Sequence, residues 1–274
     1  MKEGSRPAGQ EQLPDIDISQ PHTARFWNYL LGGKDNYPVD RAAGEQILAL
    51  APGFRDAARA VRGFLVRAVR HLVGEVGIRQ FLDIGTGLPT ANNTHEIAQA
   101  TASECRIVYV DNDPLIMAHA RALLTSTPEG VTNYVYADLR DPDTILREAA
   151  RTLDFTQPVG LMLLGILNHI MDTAEAHTIV KKLLDALPSG SYMAISHPTT
   201  EIDADVMLEV VRQWNTTGGT PPVVFRDRDE LTHFFDRLEL LEPGVVSCSL
   251  WRPEQNEFGV PAAVYEYGGV GRKP

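Results

Sequence analysis

Three aspartates, each closing an apolar run, are the residues best placed to do chemistry: Asp83 in FLDIGTG, Asp111 in IVYVD and Asp138 in YADL. Each reads as the end of a buried strand opening into a turn. Gly85, Thr86 and Gly87 follow Asp83, and a backbone without side chains can pass close to a ligand there. Asp111 comes about 25 residues later, near the spacing at which an acid reaches a ribose in nucleotide-type folds. A buried carboxylate is unfavourable unless donors meet it. Three at successive strand ends therefore imply a ligand rich in hydroxyl and amine donors, and a poor seat for phosphate. Plainer readings stay open: Asp83 as a turn cap, Asp111 as the N-cap of a helix starting at Pro114, and Asp138 as a cap for residues 139–142.

The elements that must position these acids alternate. Strands are expected over 80–84, 106–110, 133–137, 159–164 and 191–195, and helices over 94–101, 114–124, 143–153, 173–187 and 204–214. This rhythm implies an α/β fold with a mostly parallel sheet and helices on both faces. Apolar runs such as Leu161 to Leu164 fit central strands covered on both sides. Ahead of the sheet lie helices over 22–31 and 39–50, then a long amphipathic helix from Phe54 to Leu72. Asp227 and Glu230 read as a capping box opening another helix. The chain then reads as strands over 238–241, 245–251 and 262–265, the last two an antiparallel pair. The expected units are a disordered tail over 1–14, a helical cap or lid over 15–77 and a ligand-binding domain over 78–274.

The 274 residues carry a net charge of −11, so nucleic acid is a poor default partner. Five arginines between Arg55 and Arg70 are expected to form a solvated helix face. The two cysteines, Cys105 and Cys248, make neither a disulfide framework nor a metal site by themselves. No apolar run reaches the ~18–20 residues of a membrane span, and no membrane partner is expected. The first residues lack the apolar core of a signal peptide, which makes the cytoplasm the expected location.

This order of motifs resembles the class I S-adenosylmethionine-dependent methyltransferases. The glycine motif corresponds to FLDIGTGLP, the ribose acid to YVDNDP, the adenine acid to YADL and the fifth-strand segment to LPSGSYMAIS. More narrowly, ARFWNYLLGGKDNYPVDR and FFDRLELLEPGVV resemble a largely uncharacterised bacterial branch of that family. The resemblance implies a Rossmann-like sheet of seven strands, mostly parallel, with an antiparallel C-terminal strand and an N-terminal helical extension. It implies S-adenosyl-L-methionine as cofactor. Gly85, Thr86 and Gly87 would line its methionine part, with Asp83 near the ammonium directly or through the turn. Asp111, with Asn112, would meet the ribose, Asp138 the adenine amino group, and the Leu139 amide a ring nitrogen. Gly165, at the end of the fourth strand, is a further cofactor candidate. Pro89 stands where the family has glycine, so the next helix must start near residues 92–94. The amides of Asn93 and Thr94 would then replace the usual helix-start contact.

In-line methyl transfer needs alignment more than acid or base help. Where the nucleophile must lose a proton, Asn168 and His169 after the fourth strand are the catalytic candidates, His169 as a base near neutral pH. The alternative is a structural histidine bonded to a backbone carbonyl. His197 is a second candidate with the same alternative. The loop over 32–37 reads as a lid carrying Tyr37 onto the cofactor, or else as a tight interhelical turn with Tyr37 in an apolar interface. The three tryptophans, Trp27, Trp214 and Trp251, fit packing better than an acceptor pocket. The expected activity is methyl transfer to a small-molecule acceptor. Two rivals remain, a non-catalytic sensor or scaffold that binds S-adenosylmethionine and, less favoured, an NAD-dependent dehydrogenase. A nucleic-acid methyltransferase is disfavoured by charge and by the lack of an Asn-Pro-Pro-Tyr-like signature over 165–169.

Overall fold

A computed structural model describes residues 16–123, 126–254 and 259–274, so the tail expected over 1–14 lies outside the described residues. The chain starts with three helices, α1 (Thr23–Leu30), α2 (Pro38–Leu50) and α3 (Phe54–His71). Then β1 (Gln80–Ile84), α4 (Thr94–Thr101), β2 (Arg106–Asp111), α5 (Pro114–Leu123), β3 (Val131–Tyr136), α6 (Pro142–Ala149), β4 (Gly160–Leu164), α7 (Thr173–Asp185) and β5 (Tyr192–Pro198) alternate. After α8 (Ala204–Thr216) and α9 (Arg228–His233) come the short strands β6 (Glu239–Leu240) and β7 (Val246–Ser247) and the longer β8 (Glu266–Arg272).

The strands form one sheet in the order β3-β2-β1-β4-β5-β8-β6, with β7 also on β8. The strands β1 to β5 are parallel, and β8 runs antiparallel between β5 and the two short strands. The order reverses between β1 and β4, which opens a crevice at the carboxyl ends of the strands. One face packs on α3 through Phe64, Leu65, Ala68 and Val69, and the other on α6, α7 and α9. A third cluster joins Phe26 and Leu30 of α1, Ile47 of α2 and Phe54 of α3 to Met207, Val210 and Trp214 of α8.

Local chemistry places the helix starts. Asn93 and Glu96 form a capping box for α4, and Asp227 and Glu230 form one for α9. Asp141 and Asp172 accept from the Thr144 and Glu175 amides at the starts of α6 and α7.

The C-terminal strands differ from the sequence reading. Residues 262–265 are irregular, and the last strand is Glu266–Arg272; among the described residues the sheet has eight strands rather than seven. Its EYGGVGR sequence has little strand propensity. Crowding accounts for the glycines. A Cβ on Gly268 would lie 2.9 Å from the Ile195 carbonyl oxygen and 3.1 Å from Cys248 Sγ, and one on Gly271 2.8 Å from Phe235.

The arginines of α3 are not all a solvated face. Arg67 donates to the Trp251 and Cys248 carbonyls, and Arg62 to those of Ala91 and Asn92. Long arginine stems pass along the apolar stripe and carry the guanidinium to carbonyls that no helix or strand satisfies.

Candidate active site

The crevice floor is the glycine turn after β1. Gly85 and Gly87 have φ of +78° and +66°, which only glycine adopts without strain. A Cβ on Gly85 would run into Ile166 at 2.6 Å, so side-chain-free backbone lets the β4 loop approach. Gly87 and, across the cleft, Gly165 face open space, with nothing within 4 Å of where a Cβ would sit. Two glycines facing a gap make a cradle that a ligand can fill.

Asp111 ends β2 beside this turn. Its carboxylate accepts from the Gly87 amide at 3.0 Å and the Asp113 amide at 3.0 Å. Desolvation still outweighs these amides and pushes its carboxyl up to about 6. Asp138 accepts from Asn112 Nδ2 and from the Arg140 amide, both at 2.8 Å. Asp83 is less open, at 7% exposed, and accepts from Thr94 Oγ1 at 2.5 Å. Burial raises it to about 6 as well, against the Thr94 bond and the Arg62 charge. It acts through the turn, tying β1 to the start of α4.

Two adjoining hollows follow the strand ends. One is lined by Asp111, Asn112, Asp138, Leu139, Ile166 and His169. The other, about 910 Å³ including its mouth, shares Gly85, Asp111, Asn112, Ile166 and His169 and adds Thr86, Gly87 and Gly165. Its upper wall is α1, through His22, Trp27, Asn28 and Leu31, and α3 adds Ala58, Val61 and Arg62. His22 Nδ1 lies 3.2 Å from Asp113 Oδ2 and links this wall to the β2 end.

Ten expected residues thus lie on the crevice or directly on its turn: Asp83, Gly85, Thr86, Gly87, Asp111, Asn112, Asp138, Leu139, Gly165 and His169. Asn93 is not brought there. Its backbone amide donates to Glu96 Oε2 at 2.7 Å and its side-chain oxygen caps α4, so that amide is not free for a carboxylate. Pro89 does delay the helix as expected, with α4 starting at Thr94.

Tyr37 is also absent from the crevice walls; its ring lies 5.3 Å beneath the Arg25 guanidinium. The loop over 32–37 is a tight interhelical turn clasped by Asn28, whose Oδ1 accepts from the Asp35 amide and Asn36 Nδ2. Arg25 and Asp40 form a buried ion pair at 3.0 Å beneath it. The helix α1, not this loop, covers the crevice.

His169 lines both hollows, but it is not poised near neutrality. Its Nδ1 donates to the Pro222 carbonyl at 3.1 Å, and burial lowers its pKa to about 4. The ring is therefore neutral with its Nε2 lone pair available, apart from a long 3.4 Å contact from Asn168 Nδ2. Asn168 itself faces a smaller apolar cavity lined by Phe26, Trp27, Phe54, Trp214 and Phe225. His197 is fully buried, donates to the Pro198 carbonyl and accepts from Arg226, which makes it structural. Trp214 and Trp251 pack in the interior, whereas Trp27 reaches the crevice.

Three residues lay beyond sequence reasoning. Arg226 is fully buried and donates to the Leu167 and Ile170 carbonyls and to His197, fixing the loop after β4. Arg62 lines the crevice with its Nε buried and unpartnered. Glu266, also on the wall, is fully buried with both carboxylate oxygens unpartnered. No local motif marks any of them: the partners of Arg226 and Arg62 are distant in the chain, and Glu266 has none.

The walls fit a cation with hydroxyl and amine donors: acids at the floor, backbone cradles and little positive charge. A sequence profile described as S-adenosyl methyltransferase matches residues 9–274. A DUF574-family protein from Streptomyces avermitilis MA-4680 is 44% identical with a TM-score of 0.90, covering 95% of this chain and 100% of that one. A proposed methyltransferase from Thermobifida fusca YX is 37% identical with a TM-score of 0.85, covering 94% and 96%. A methyltransferase from Anabaena variabilis ATCC 29413 shares the fold at 12% identity and a TM-score of 0.51, covering 98% and 100%. None of the curated proteins is significantly similar. Among the described residues, no helix is long and apolar enough to cross a membrane. Acid-ended strands, a glycine cradle and a profile spanning nearly the whole chain agree: the protein belongs to the S-adenosyl methyltransferase family, with S-adenosylmethionine as its cofactor.

Proposed function

We propose that the chain methylates a small molecule held between α1 and the ends of β4 and β5. The observation that carries this is a pair of adjoining hollows with shared walls, polar and acidic from Asp138 to Gly87 and then largely apolar beneath Trp27, Leu31, Ala58 and Val61. The polar part suits the adenosyl end of the cofactor and the apolar part an acceptor.

In this reading Asp138 accepts from the adenine amino group, the Leu139 amide meets a ring nitrogen, and Asp111 accepts from the ribose hydroxyls. Asn112 holds Asp138 in place. Gly85, Thr86, Gly87 and Gly165 lie along the methionine part. Arg62 takes the role that Asn93 lacks, as the cation for the methionine carboxylate, because its unpartnered Nε lies on the same wall. When bound, S-adenosylmethionine would supply a methyl group to an acceptor lone pair, with the electron pair of the broken carbon–sulfur bond left on sulfur. The protein aligns the partners and excludes water under α1. His169, neutral and held by Pro222, orients an acceptor or a water rather than acting as a strong base.

The test is calorimetric titration with S-adenosylhomocysteine. The wild type should bind, and Asp111→Ala should lose about 1–3 kcal/mol, roughly 5- to 150-fold in Kd. Unchanged affinity in that variant would remove Asp111 from the site.

A further inference from the structure

Glu266 opens β8 at the carboxyl edge of the sheet, opposite Pro198 of β5. On the same face, Ser196 sits opposite Gly268, two pairs along the ladder. Both Glu266 oxygens and Ser196 Oγ are buried and have no hydrogen-bond partner. Desolvation alone holds the Glu266 carboxyl well above the usual carboxylate range, with no opposing charge contribution. Most buried polar groups in folded proteins are paired. A glutamine or leucine of similar size would relieve this strand of its unfavourable acid. Glu266 also lies on the crevice wall, with Trp27, Leu31, Ala58, Val61 and Leu164 around the same chamber. The β8 side of that chamber lies toward the opposite end of the strand order from Asp138, away from the proposed adenosyl seat.

We propose that Glu266 recognises the methyl acceptor, and that the acceptor is an amine on an apolar body whose nitrogen donates to this carboxylate beside the Ser196 hydroxyl. The inference rests on the methyltransferase reading of the crevice. A carboxylate only accepts hydrogen bonds, so its missing partner is a donor. An ammonium group supplies donors and charge together. Burial keeps the empty Glu266 carboxyl protonated; it releases that proton to solvent as the ammonium enters, and the resulting carboxylate pairs with the ammonium, which has no lone pair to offer. One proton then passes from nitrogen to a Glu266 oxygen, so that ammonium and carboxylate become amine and carboxylic acid. Charge is conserved, and a neutral pair is the form a dry chamber favours. The apolar wall takes the rest of the molecule.

The test uses the full chain saturated with S-adenosylhomocysteine and titrated calorimetrically with 2-phenylethylamine and 2-phenylethanol, which differ only in the donor group. In the wild type the amine should bind at least tenfold more tightly than the alcohol. Glu266→Gln should abolish that preference while leaving S-adenosylhomocysteine affinity within twofold, and Ser196→Ala should reduce it by a smaller factor. The infrared band of a buried protonated carboxyl should be present in the wild type, shift when the amine binds and be missing in Glu266→Gln. If that variant folds poorly, Glu266→Met gives the same comparison. Equal binding of amine and alcohol by the wild type overturns the proposal, and so does a preference that survives loss of the carboxylate. Loss of S-adenosylhomocysteine affinity in Glu266→Gln overturns it too, because the carboxylate would then serve the cofactor's own ammonium. A wild type that does not bind S-adenosylhomocysteine defeats the underlying methyltransferase reading instead, and the proposal falls with it.

Discussion

The two ends of the crevice are built differently. At the β1–β2–β3 end each carboxylate has a partner close by in sequence or on the next strand end: Asp111 has the Gly87 and Asp113 amides, and Asp138 has Asn112 and Arg140. At the β4–β5–β8 end the polar groups are tied across long sequence separations, as Arg226 is to Leu167, Ile170 and His197, or are left unpartnered, as are Glu266 and Ser196. The first end is preorganised for one ligand before that ligand arrives. The second is a frame of long-range bonds around buried groups that stand without a partner.

Arg226→Met should break the far end with the largest effect. It leaves the Leu167 and Ile170 carbonyls and His197 without their donor in a fully buried site. At ~1–3 kcal/mol for each orphaned group, a loss of roughly 3–5 kcal/mol in a urea titration is expected. Amide exchange over residues 166–170 should speed up while that of the Gly85–Gly87 turn keeps its protection. If both ends loosen together, they are not separately built.

The same difference governs what the sequence discloses. Asp83, Asp111 and Asp138 were legible because each closes an apolar strand, and the parallel pairing brings successive strand ends together. The capping box at Asp227 was legible because its partner Glu230 lies three residues away. Glu266 and Arg226 have no local signature; only the β5–β8 ladder and the folded β4 loop give them meaning. The glycine-rich β8 hid for a related reason, since its glycines answer to Cys248, Phe64 and Phe235, all distant in the chain. The LLGGKDNY segment was conspicuous for its composition, yet its polar residues serve the turn between α1 and α2.

Acid should sharpen the comparison from the cofactor side. The Asp111 carboxyl titrates at about 6 in the ligand-free crevice. In the proposed ribose contact only the ionised form accepts from both hydroxyls, so binding should favour the carboxylate and weaken as pH falls through that value. With one such group, S-adenosylhomocysteine should bind about tenfold more weakly at pH 5 than at pH 7, with little change above pH 7. Calorimetry across that range checks it, and Asp111→Asn should flatten the profile. A wild-type affinity that does not change with pH would show that Asp111 does not carry the ribose contact.

The smallest effect is expected at Tyr37. Its ring sits over Arg25, and Arg25 is held independently by Asp40 and by the Asp17 and Gln20 carbonyls. Tyr37→Phe keeps the ring and removes a hydroxyl that does not reach the crevice. S-adenosylhomocysteine affinity should stay within twofold, and stability within about 0.5 kcal/mol, as for substitutions that break no buried contact. Tyr37→Ala, which also removes the cation–π contact, should cost about 0.5–1 kcal/mol of stability and still leave binding intact. A tenfold weaker titration with Tyr37→Phe would mean that the loop over 32–37 closes onto the cofactor when it binds. The cofactor end would then be completed by its ligand, as the acceptor end is, and the contrast between them would narrow to Glu266 alone.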